Sequence, residues 1–178
     1  MYKSDNFWIT DFELSDAKKL CNMMTSNKER FENYFPKTLS QNLTIEDSRA
    51  YILRKTVENK NNIEFTFAIK DNETQNVVGI IILKDLDMTQ QVGELAYAMD
   101  MSFEGRGWMS LAVKELSKFA LNTLNLKTVK IISHRTNLGS CKVAIKNGYV
   151  WQQTLKNEHT PINGSPIDME LYELNTGT

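Results

Sequence analysis

The fold is decided by Phe103-Glu104-Gly105-Arg106-Gly107-Trp108-Met109, a glycine-containing loop that joins an extended segment to a long helical pattern. Beyond this loop, apolar residues recur at helical spacing and charged residues occupy the opposite face. The apolar positions are Met109, Ala112, Val113, Leu116, Phe119 and Ala120. We therefore predict a strand–loop–helix unit whose glycines stand at the helix entrance.

A glycine-rich helix entrance suits an anion such as a diphosphate. The first backbone amides of a helix have no partner within the helix and lie at the positive end of its dipole. Gly105 and Gly107 would let a bulky diphosphate approach the backbone, and Arg106 can add a charge-assisted contact. Taken alone, the loop fits an ordinary helix-entry turn better than a phosphate site.

Two other phosphate-binding loops do not match the residues. A Walker loop needs Gly-Lys-Ser/Thr, whereas Trp108 follows the second glycine here. The dinucleotide fingerprint wants a third glycine or alanine where Ser110 stands. The loop therefore belongs to neither class.

Length and composition indicate a single globular domain over residues 1–178. The chain is 41% hydrophobic and 24% charged, which is too apolar for a disordered protein. Its formal net charge of -1 lacks the basic surplus of a nucleic-acid-binding protein. No stretch is long and apolar enough to span a membrane, and residues 1–10 do not form a signal-peptide core. We expect a cytoplasmic protein without nucleic-acid or membrane partners.

The cysteines and histidines predict no metal site. The two cysteines, Cys21 and Cys141, are far apart in sequence, too few for a disulfide framework, and are expected to stay reduced. Neither they nor His134 and His159 show the spacing of metal ligands.

Working outward from the loop, the patterns predict a mixed α/β (α+β) domain with a mostly antiparallel sheet. The predicted strands are Phe7–Ile9, Ile63–Ile69, Val77–Leu83, Val92–Met99, Val129–Ile132, Tyr149–Leu155 and Ile167–Leu174. Helices are predicted from Ser15, from Thr44 to Glu58, after Gly107, and from Leu138 to Asn147, with Pro36 ending a polar stretch. No linker or repeat interrupts them.

Three motifs in order make the chain resemble the GCN5-related N-acetyltransferases (GNAT). Residues 105–110, Gly-Arg-Gly-Trp-Met-Ser, resemble the pyrophosphate loop of that superfamily. Residues 137–140, Asn-Leu-Gly-Ser, are similar to its second motif, and residues 146–149, Lys-Asn-Gly-Tyr, resemble its closing motif. The three together are much more specific than the loop alone.

Within the superfamily the chain is most similar to the ribosomal-protein N-acetyltransferase (RimJ/RimL-like) branch. The similar segments are Tyr34-Phe35-Pro36, Glu46-Asp47-Ser48, Glu94-Leu95-Ala96-Tyr97 and a terminal hairpin from Ile162-Asn163-Gly164 to Tyr172. Two residues depart from the usual pattern: Ser102 replaces a glutamine or arginine of many members, and Ala96 replaces a glycine.

The resemblance implies a sheet of about six to seven strands, splayed between strands four and five and flanked by about four helices. Free backbone groups of the fourth strand would bind the pantetheine arm of acetyl-CoA, and amides of the loop would hold the pyrophosphate. The implied cofactor-binding residues are Tyr97, Ala98, Met99, Phe103, Glu104, Gly105, Arg106, Gly107, Trp108, Met109, Asn137 and Ser140.

The same resemblance implies catalytic and acceptor-binding residues. Ser140 would protonate the departing CoA thiolate, although residue preference alone favours a helix N-cap for Asn137 and a first-turn role for Ser140. Glu94 is the first choice for a base or amine anchor, ahead of Asp168, Glu170 and His134, although a solvated carboxylate is an equally good reading.

The acceptor is the least defined part of the prediction. Tyr34, Phe35, Glu94 and Asp168 are expected to contact an amine, either a protein N-terminus or a small molecule. The alternative is a catalytically silent module on the same fold that binds acetyl-CoA or a protein. A monomer and a homodimer are both consistent with the sequence.

Overall fold

The computed structural model describes residues 2–161 and 164–177, so Ile162 and Asn163 of the terminal hairpin motif lie outside the described residues. The described chain forms one sheet with the strand order β1-β2-β3-β4-β5-β6-β8-β7. Its strands are β1 (Tyr2–Lys3), β2 (Phe7–Thr10), β3 (Phe65–Asp71), β4 (Val77–Asp87), β5 (Val92–Met99), β6 (Thr128–Ser133), β7 (Val150–His159) and β8 (Ile167–Asn175).

The helices are α1 (Ala17–Ser26), α2 (Lys28–Tyr34), α3 (Pro36–Ser40), α4 (Ile45–Lys60), α5 (Trp108–Lys118) and α6 (Leu138–Lys146). The predicted mixed, mostly antiparallel GNAT fold is confirmed, with somewhat more elements than expected. The described residues hold eight strands, because Tyr2–Lys3 adds a short pairing to Trp8 and Ile9.

Pro36 accounts for one of the extra helices, α3. The sequence predicted that Pro36 only ends a helical stretch, but it also begins α3, where it occupies the first helical position. Proline is well suited to that position because its missing N–H would have no helical partner there. The chain therefore makes two short helices, α2 and α3, that turn at Phe35.

The sheet is buried on both faces. Along β4, Ile81 and Leu83 pack with α5 on one face, whereas Ile80 and Ile82 pack with α1 and α4 on the other. This explains the nearly continuous apolar run of that strand, since alternate side chains enter different cores. The α5 positions of the predicted apolar stripe are buried, and the stripe continues just beyond α5 with half-buried Phe119 and buried Ala120.

The sheet opens between β5 and β6, as the resemblance implied. These two strands are parallel and pair only from Val92 to Glu94. Beyond Glu94, β5 continues to Met99 beside β4, while β6 continues to Ser133 beside β8. The divergence leaves a V-shaped opening, here called the splay gap, at the centre of the sheet.

A side chain closes the free edge of β3 where β2 turns away from it. Asn59 of α4 accepts a hydrogen bond from the Thr66 amide at 2.8 Å and donates one to the Thr66 carbonyl at 3.0 Å. The amide side chain thus replaces a strand partner for Thr66, which is 1% exposed.

We expect Asn59→Ala to lower the free energy of unfolding by about 1–3 kcal/mol, because it leaves the buried N–H and carbonyl of Thr66 without hydrogen-bond partners. Chemical denaturation would measure the loss. Asn61→Ala, at the neighbouring exposed end of α4, is the matched control and should change stability by less than about 0.5 kcal/mol. Equal losses in the two variants would show that the edge contact contributes nothing.

Candidate active site

The open edge of β5 presents unpaired peptide groups to the splay gap. Asp100 N–H donates to the Val78 carbonyl at 2.8 Å, so even-numbered residues of this strand pair with β4. Because peptide groups alternate in direction along a strand, those of Tyr97 and Met99 point towards β6, which has already diverged. These are the groups that an extended amide-bearing ligand would pair with.

The glycine loop has a backbone conformation that favours glycine. Gly105 and Gly107 have φ values of +74° and +79°, a conformation that other residues adopt only with strain. Gly107 caps α5, and its carbonyl accepts from the Leu111 amide. A Cβ added at either glycine would meet no protein atom within 4 Å. The space in front of both glycines is therefore free for a ligand.

Loop, strand edge and α6 enclose one groove of about 440 Å³, here called the cofactor groove. Its predicted lining residues are Tyr97, Ala98, Met99, Phe103, Glu104, Gly105, Gly107, Trp108, Met109, Asn137 and Ser140. The structure thus brings together residues of β5, the loop and α6, among them Tyr97 and Ser140, which are 43 positions apart in the sequence. Gly105 and Gly107 stand at the helix end of the groove and Tyr97 beside the splay gap.

Arg106 is the one predicted cofactor residue whose side chain is outside this groove. Its guanidinium lies over the Phe103 ring at 4.5 Å and donates to the Ser102 carbonyl at 3.2 Å. The Arg106 side chain therefore packs on the loop instead of lining the groove, and its charge-assisted contact with a diphosphate stays a prediction.

Asn137, Ser140 and Tyr97 form a connected group beside the splay gap. Asn137 Oδ1 accepts from the Ser140 amide at 3.2 Å, so the predicted N-cap is present. The Ser140 hydroxyl donates to the Tyr97 hydroxyl at 3.1 Å, which in turn donates to the Ser140 carbonyl at 3.2 Å. Burial raises the pKa of Tyr97, so its hydroxyl stays protonated at neutral pH. The Ser140 hydroxyl is thus held at the mouth of the gap.

Sequence reasoning missed three cations of the cofactor groove: Arg30, Lys142 and Lys146. Arg30 of α2 donates to the Met99 carbonyl at the open edge and to the Glu104 carboxylate of the loop. Lys142 and Lys146 are one turn apart on α6, and a helical projection of that segment would have placed them on one face. Nothing local in the sequence connects Arg30 with this groove.

The splay gap itself is a small cavity of about 80 Å³ between β5 and β6. It shares Tyr97, Asn137 and Ser140 with the cofactor groove. On its other side it shares Ala96 and Ile132 with a third cavity of about 430 Å³, here called the acceptor pocket. The opening therefore continues through the sheet from one face to the other.

Glu94 lies in the wall of the acceptor pocket. Its carboxylate is 17% exposed and is 2.8 Å from Lys84 Nζ. Burial raises the pKa of Glu94, and the Lys84 ammonium partly opposes that shift. Since Glu94 and Tyr97 project from opposite faces of β5, Glu94 and Ser140 flank the gap from opposite sides.

The other predicted acceptor residues are divided by the structure. Tyr34 and Phe35 line the cofactor groove, the splay gap and the acceptor pocket alike. Asp168 does not line these cavities: its neighbours Ile167 and Met169 face the gap, and Asp168 projects to the opposite side of β8. There it accepts from Lys156 at 2.6 Å, and this hydrogen bond holds its pKa below the ordinary value.

The alternative bases are held by local contacts. Glu170 accepts from the Trp151 indole at 2.7 Å. His134 lines the gap, but its Nδ1 is 2.7 Å from the Thr136 hydroxyl. Among residues 2–161 and 164–177, no group of three His, Cys, Asp or Glu side chains is arranged to hold a metal ion.

Two polar atoms at the gap have no hydrogen-bond partner within the described part of the chain. They are the Ser133 hydroxyl of β6 and Nε2 of His159 in β7, and both residues line the gap. A buried polar group left without a partner costs about 1–3 kcal/mol. A polar ligand in the gap is the natural source of such partners.

A splayed sheet with a glycine loop at one end of the opening, and cavities on both faces, defines the class of acetyltransferases with a GNAT fold. The family model described as the acetyltransferase (GNAT) domain matches residues 6–150. The chain belongs to this family.

Comparison with individual proteins agrees with this assignment. The chain is 23% identical to the probable N-acetyltransferase YjcK of Bacillus subtilis, over 98% of this chain and 96% of the relative. Among solved structures, the ribosomal-protein-S5-alanine acetyltransferase of Vibrio fischeri superposes with a TM-score of 0.91 at 21% identity, covering 99% and 96% of the two chains. RimL, a ribosomal L7/L12 α-N-protein acetyltransferase solved with coenzyme A, superposes with a TM-score of 0.88 at 17% identity, covering 97% and 95%.

These structural neighbours are ribosomal-protein acetyltransferases, as the RimJ/RimL-like resemblance predicted. At such identities the superposition shows the shared fold. No helix in the described ranges is both long enough and apolar enough to cross a membrane.

Proposed function

We propose that residues 1–178 form one acetyltransferase domain that transfers the acetyl group of acetyl-CoA to a primary amine. The favoured acceptor is the α-amine of a protein N-terminus, with a small-molecule amine as the other form. The proposal is supported by the family assignment and by relatives whose names describe N-acetyltransferases.

The observation that carries the proposal is the continuous opening through the sheet. The cofactor groove approaches the gap on the face of Tyr97 and Ser140, and the acceptor pocket approaches it on the face of Glu94. Two ligands entering from opposite faces would meet at the gap, which is the arrangement that direct transfer in a ternary complex needs.

The residues of the groove fit acetyl-CoA. The amides of residues 103–109 and the start of α5 would hold the diphosphate, with Gly105 and Gly107 leaving the necessary space. The free peptide groups of Tyr97 and the N–H of Met99 would pair with the pantetheine amides, and the Asn137 side-chain amide would add a donor. When bound, acetyl-CoA supplies a thioester that an amine can attack.

Ser140 and Glu94 would divide the proton transfers between the two faces. Ser140, held by Tyr97, would protonate the sulfur as it leaves. Glu94 would anchor the incoming amine or accept its proton. Since an α-amine has a reference pKa of about 8, one carboxylate is sufficient as its base, whereas a lysine amine, with a pKa of about 10.4, would need more help. This favours an N-terminal amine.

The proposal is tested by titrating acetyl-CoA into the protein and by measuring thiol release with a panel of amines at fixed pH. We expect saturable binding and turnover with at least one N-terminal peptide. The absence of binding at millimolar acetyl-CoA would refute the proposal. Binding without turnover on any amine would instead support the silent-module alternative.

We expect Glu94→Gln to lower kcat/KM for the amine by about 10²-fold, the scale of a lost general base. Because the pKa of Glu94 is raised, the active carboxylate is lost as pH falls through a value above that of an ordinary glutamate. The acid limb of the kcat/KM profile should therefore lie at higher pH than an unperturbed glutamate gives, and should flatten in the variant. An anchoring role would raise KM, whereas a base would lower kcat.

Asp168→Asn is the matched control, since this carboxylate faces away from the gap. It should change neither kcat nor KM for the amine by more than about 2-fold, the effect of a surface charge. A loss as large as that in Glu94→Gln would place the acceptor on the other side of β8.

We further propose that the protein works in the cytoplasm, as a monomer or homodimer, without a nucleic-acid or membrane partner and without a metal. Its formal net charge of -1 supports the first of these exclusions.

A further inference from the structure

The acceptor pocket carries opposite charges on its two walls. The helical wall supplies Lys37 of α3 and Arg54 of α4, and the sheet wall supplies Glu94 of β5 and Glu158 of β7. Since the amine must reach the splay gap beside the sheet wall, the helical wall faces the part of the acceptor that lies beyond the amine.

Most of the remaining charges in this pocket neutralise one another. Lys55 Nζ is 2.6 Å from both Glu58 and Glu64. Lys84 is 2.8 Å from Glu94 and 2.6 Å from Asp85, a residue outside the pocket lining. Each ammonium thus meets two carboxylates, and Arg54, at 3.9 Å from Glu58, balances the second carboxylate beside Lys55.

Two lining charges have no ion pair within residues 2–161 and 164–177: Lys37 on the helical wall and Glu158 on the sheet wall. Arg54 is weakly held, at 3.9 Å from Glu58, and its guanidinium also contacts the Gln41 side chain. The helical wall therefore keeps an excess of positive charge.

The sheet wall keeps an excess of negative charge near the gap. Glu158 is exposed and precedes His159, which lines both the gap and the acceptor pocket. It lies close enough to Glu94 to contribute to the raised pKa of that carboxyl. Within the described residues Glu94 is paired with Lys84 and Glu158 has no ion pair, which favours a further cation between these two carboxylates.

We propose that the acceptor is a primary amine that carries an anionic group, with the ammonium recognised by Glu94 and Glu158 and the anion by Lys37 and Arg54. This rests on the proposed acetyl transfer and narrows its substrate class. A peptide N-terminus with Asp or Glu among its first residues has this chemistry, and so does a free acidic amino acid. Polyamines and lysine-rich N-termini do not.

The first test compares acceptors of equal length and different charge. Three peptides beginning with serine would carry Asp, Asn or Lys at the second and third positions, and free aspartate and spermidine would complete the set. We expect kcat/KM to be about 10-fold higher for the Asp peptide than for the Lys peptide at low salt, with the Asn peptide between them. The ratio should shrink as salt is added, because the charges involved are exposed.

The second test asks whether substitutions in the helical wall weaken the preference for the Asp peptide over the Lys peptide. Lys37→Glu and Arg54→Gln should each reduce the Asp-to-Lys ratio about 3- to 10-fold, with little change for the Asn peptide. Lys114→Glu is the matched control for Lys37→Glu because it makes the same charge change on an exposed part of α5, outside the three cavities. It should leave the ratio unchanged.

Binding is measured separately from turnover. The same peptides are titrated into the protein saturated with CoA, so that the charge preference is read even if no acetyl transfer occurs. The proposed substrate class would be wrong if the Asp-to-Lys ratio were near one and unchanged by the helical-wall variants. It would also be wrong if the protein preferred the Lys peptide or spermidine. Preference in binding without turnover would support the pocket and refute the transfer instead. Activity with free aspartate but not with the peptides would assign the same chemistry to a small molecule.

Discussion

Gly107→Val is expected to weaken acetyl-CoA binding by at least about 30-fold, which corresponds to about 2 kcal/mol. The Cβ of Gly107 would point into space that no protein atom occupies within 4 Å, directly in front of the first amides of α5. A branched side chain there would fill the position proposed for the diphosphate. Isothermal titration with acetyl-CoA would measure the loss.

The same substitution also strains the backbone. Gly107 has φ of +79°, and placing a residue with a Cβ there costs about 1–2 kcal/mol. Thermal unfolding of the variant must therefore be measured beside its binding. Gly148→Val is the matched control because Gly148 has φ of +81° and lies outside the groove, with Leu174 at 3.8 Å from an added Cβ.

We expect the two glycine variants to lose similar stability, while only Gly107→Val loses affinity. Affinity that is unchanged in both would show that the loop is an ordinary helix entrance, which was the other reading of the sequence. An equal loss of affinity in both would attribute it to destabilisation of the fold rather than to the loop.

The elements that could be predicted from sequence are those whose signal is local. The apolar stripe after Gly107 predicts a helix, and the short run Val77–Leu83, rich in β-branched residues, predicts a strand. The loop glycines are likewise visible, because their conformation is a property of single residues. Such patterns need no knowledge of distant partners.

What could not be predicted depends on contacts between distant segments. Arg30 reaches Met99 and Glu104 across about seventy positions, and no periodicity in α2 indicates it. Asp168 is a second example of a position that depends on distant segments. Its strand was predicted correctly, but the face on which its side chain lies depends on the pairing of β8 with β6 and β7. A shift of one residue in a strand exchanges the two faces.

The pairing of Ser140 with Tyr97 was also beyond the sequence, although both residues were predicted to bind the cofactor. The serine belongs to α6 and the tyrosine to β5, and the parallel start of β5 and β6 brings the two elements together. Because this contact links the Ser140 and Tyr97 hydroxyls, the effects on kcat of removing each hydroxyl can be predicted and compared.

Ser140→Ala is expected to lower kcat by about 10²-fold, with less than about a 3-fold change in KM for acetyl-CoA. The variant removes the hydroxyl placed to protonate the leaving sulfur but keeps the Asn137 cap, since the Ser140 amide is the donor there. Steady-state kinetics at saturating amine would measure both constants. A loss confined to KM would make Ser140 a binding residue only.

Tyr97→Phe separates an orienting hydroxyl from an acidic one. Burial raises the pKa of Tyr97, and its hydroxyl accepts a hydrogen bond from the Ser140 hydroxyl at 3.1 Å and donates one to the Ser140 carbonyl. If Tyr97 only orients Ser140, its removal should cost less than that of Ser140, about 3- to 10-fold in kcat.

The double variant decides between the two hydroxyls, because groups that act as a unit have non-additive effects. With Ser140 as the acid, Ser140→Ala combined with Tyr97→Phe should be no slower than Ser140→Ala alone, since Tyr97 then has nothing to orient. Losses that multiply would mean that each hydroxyl acts independently on the ligand. A larger loss in Tyr97→Phe than in Ser140→Ala would transfer the acid role to Tyr97, which lies on the same side of the splay gap.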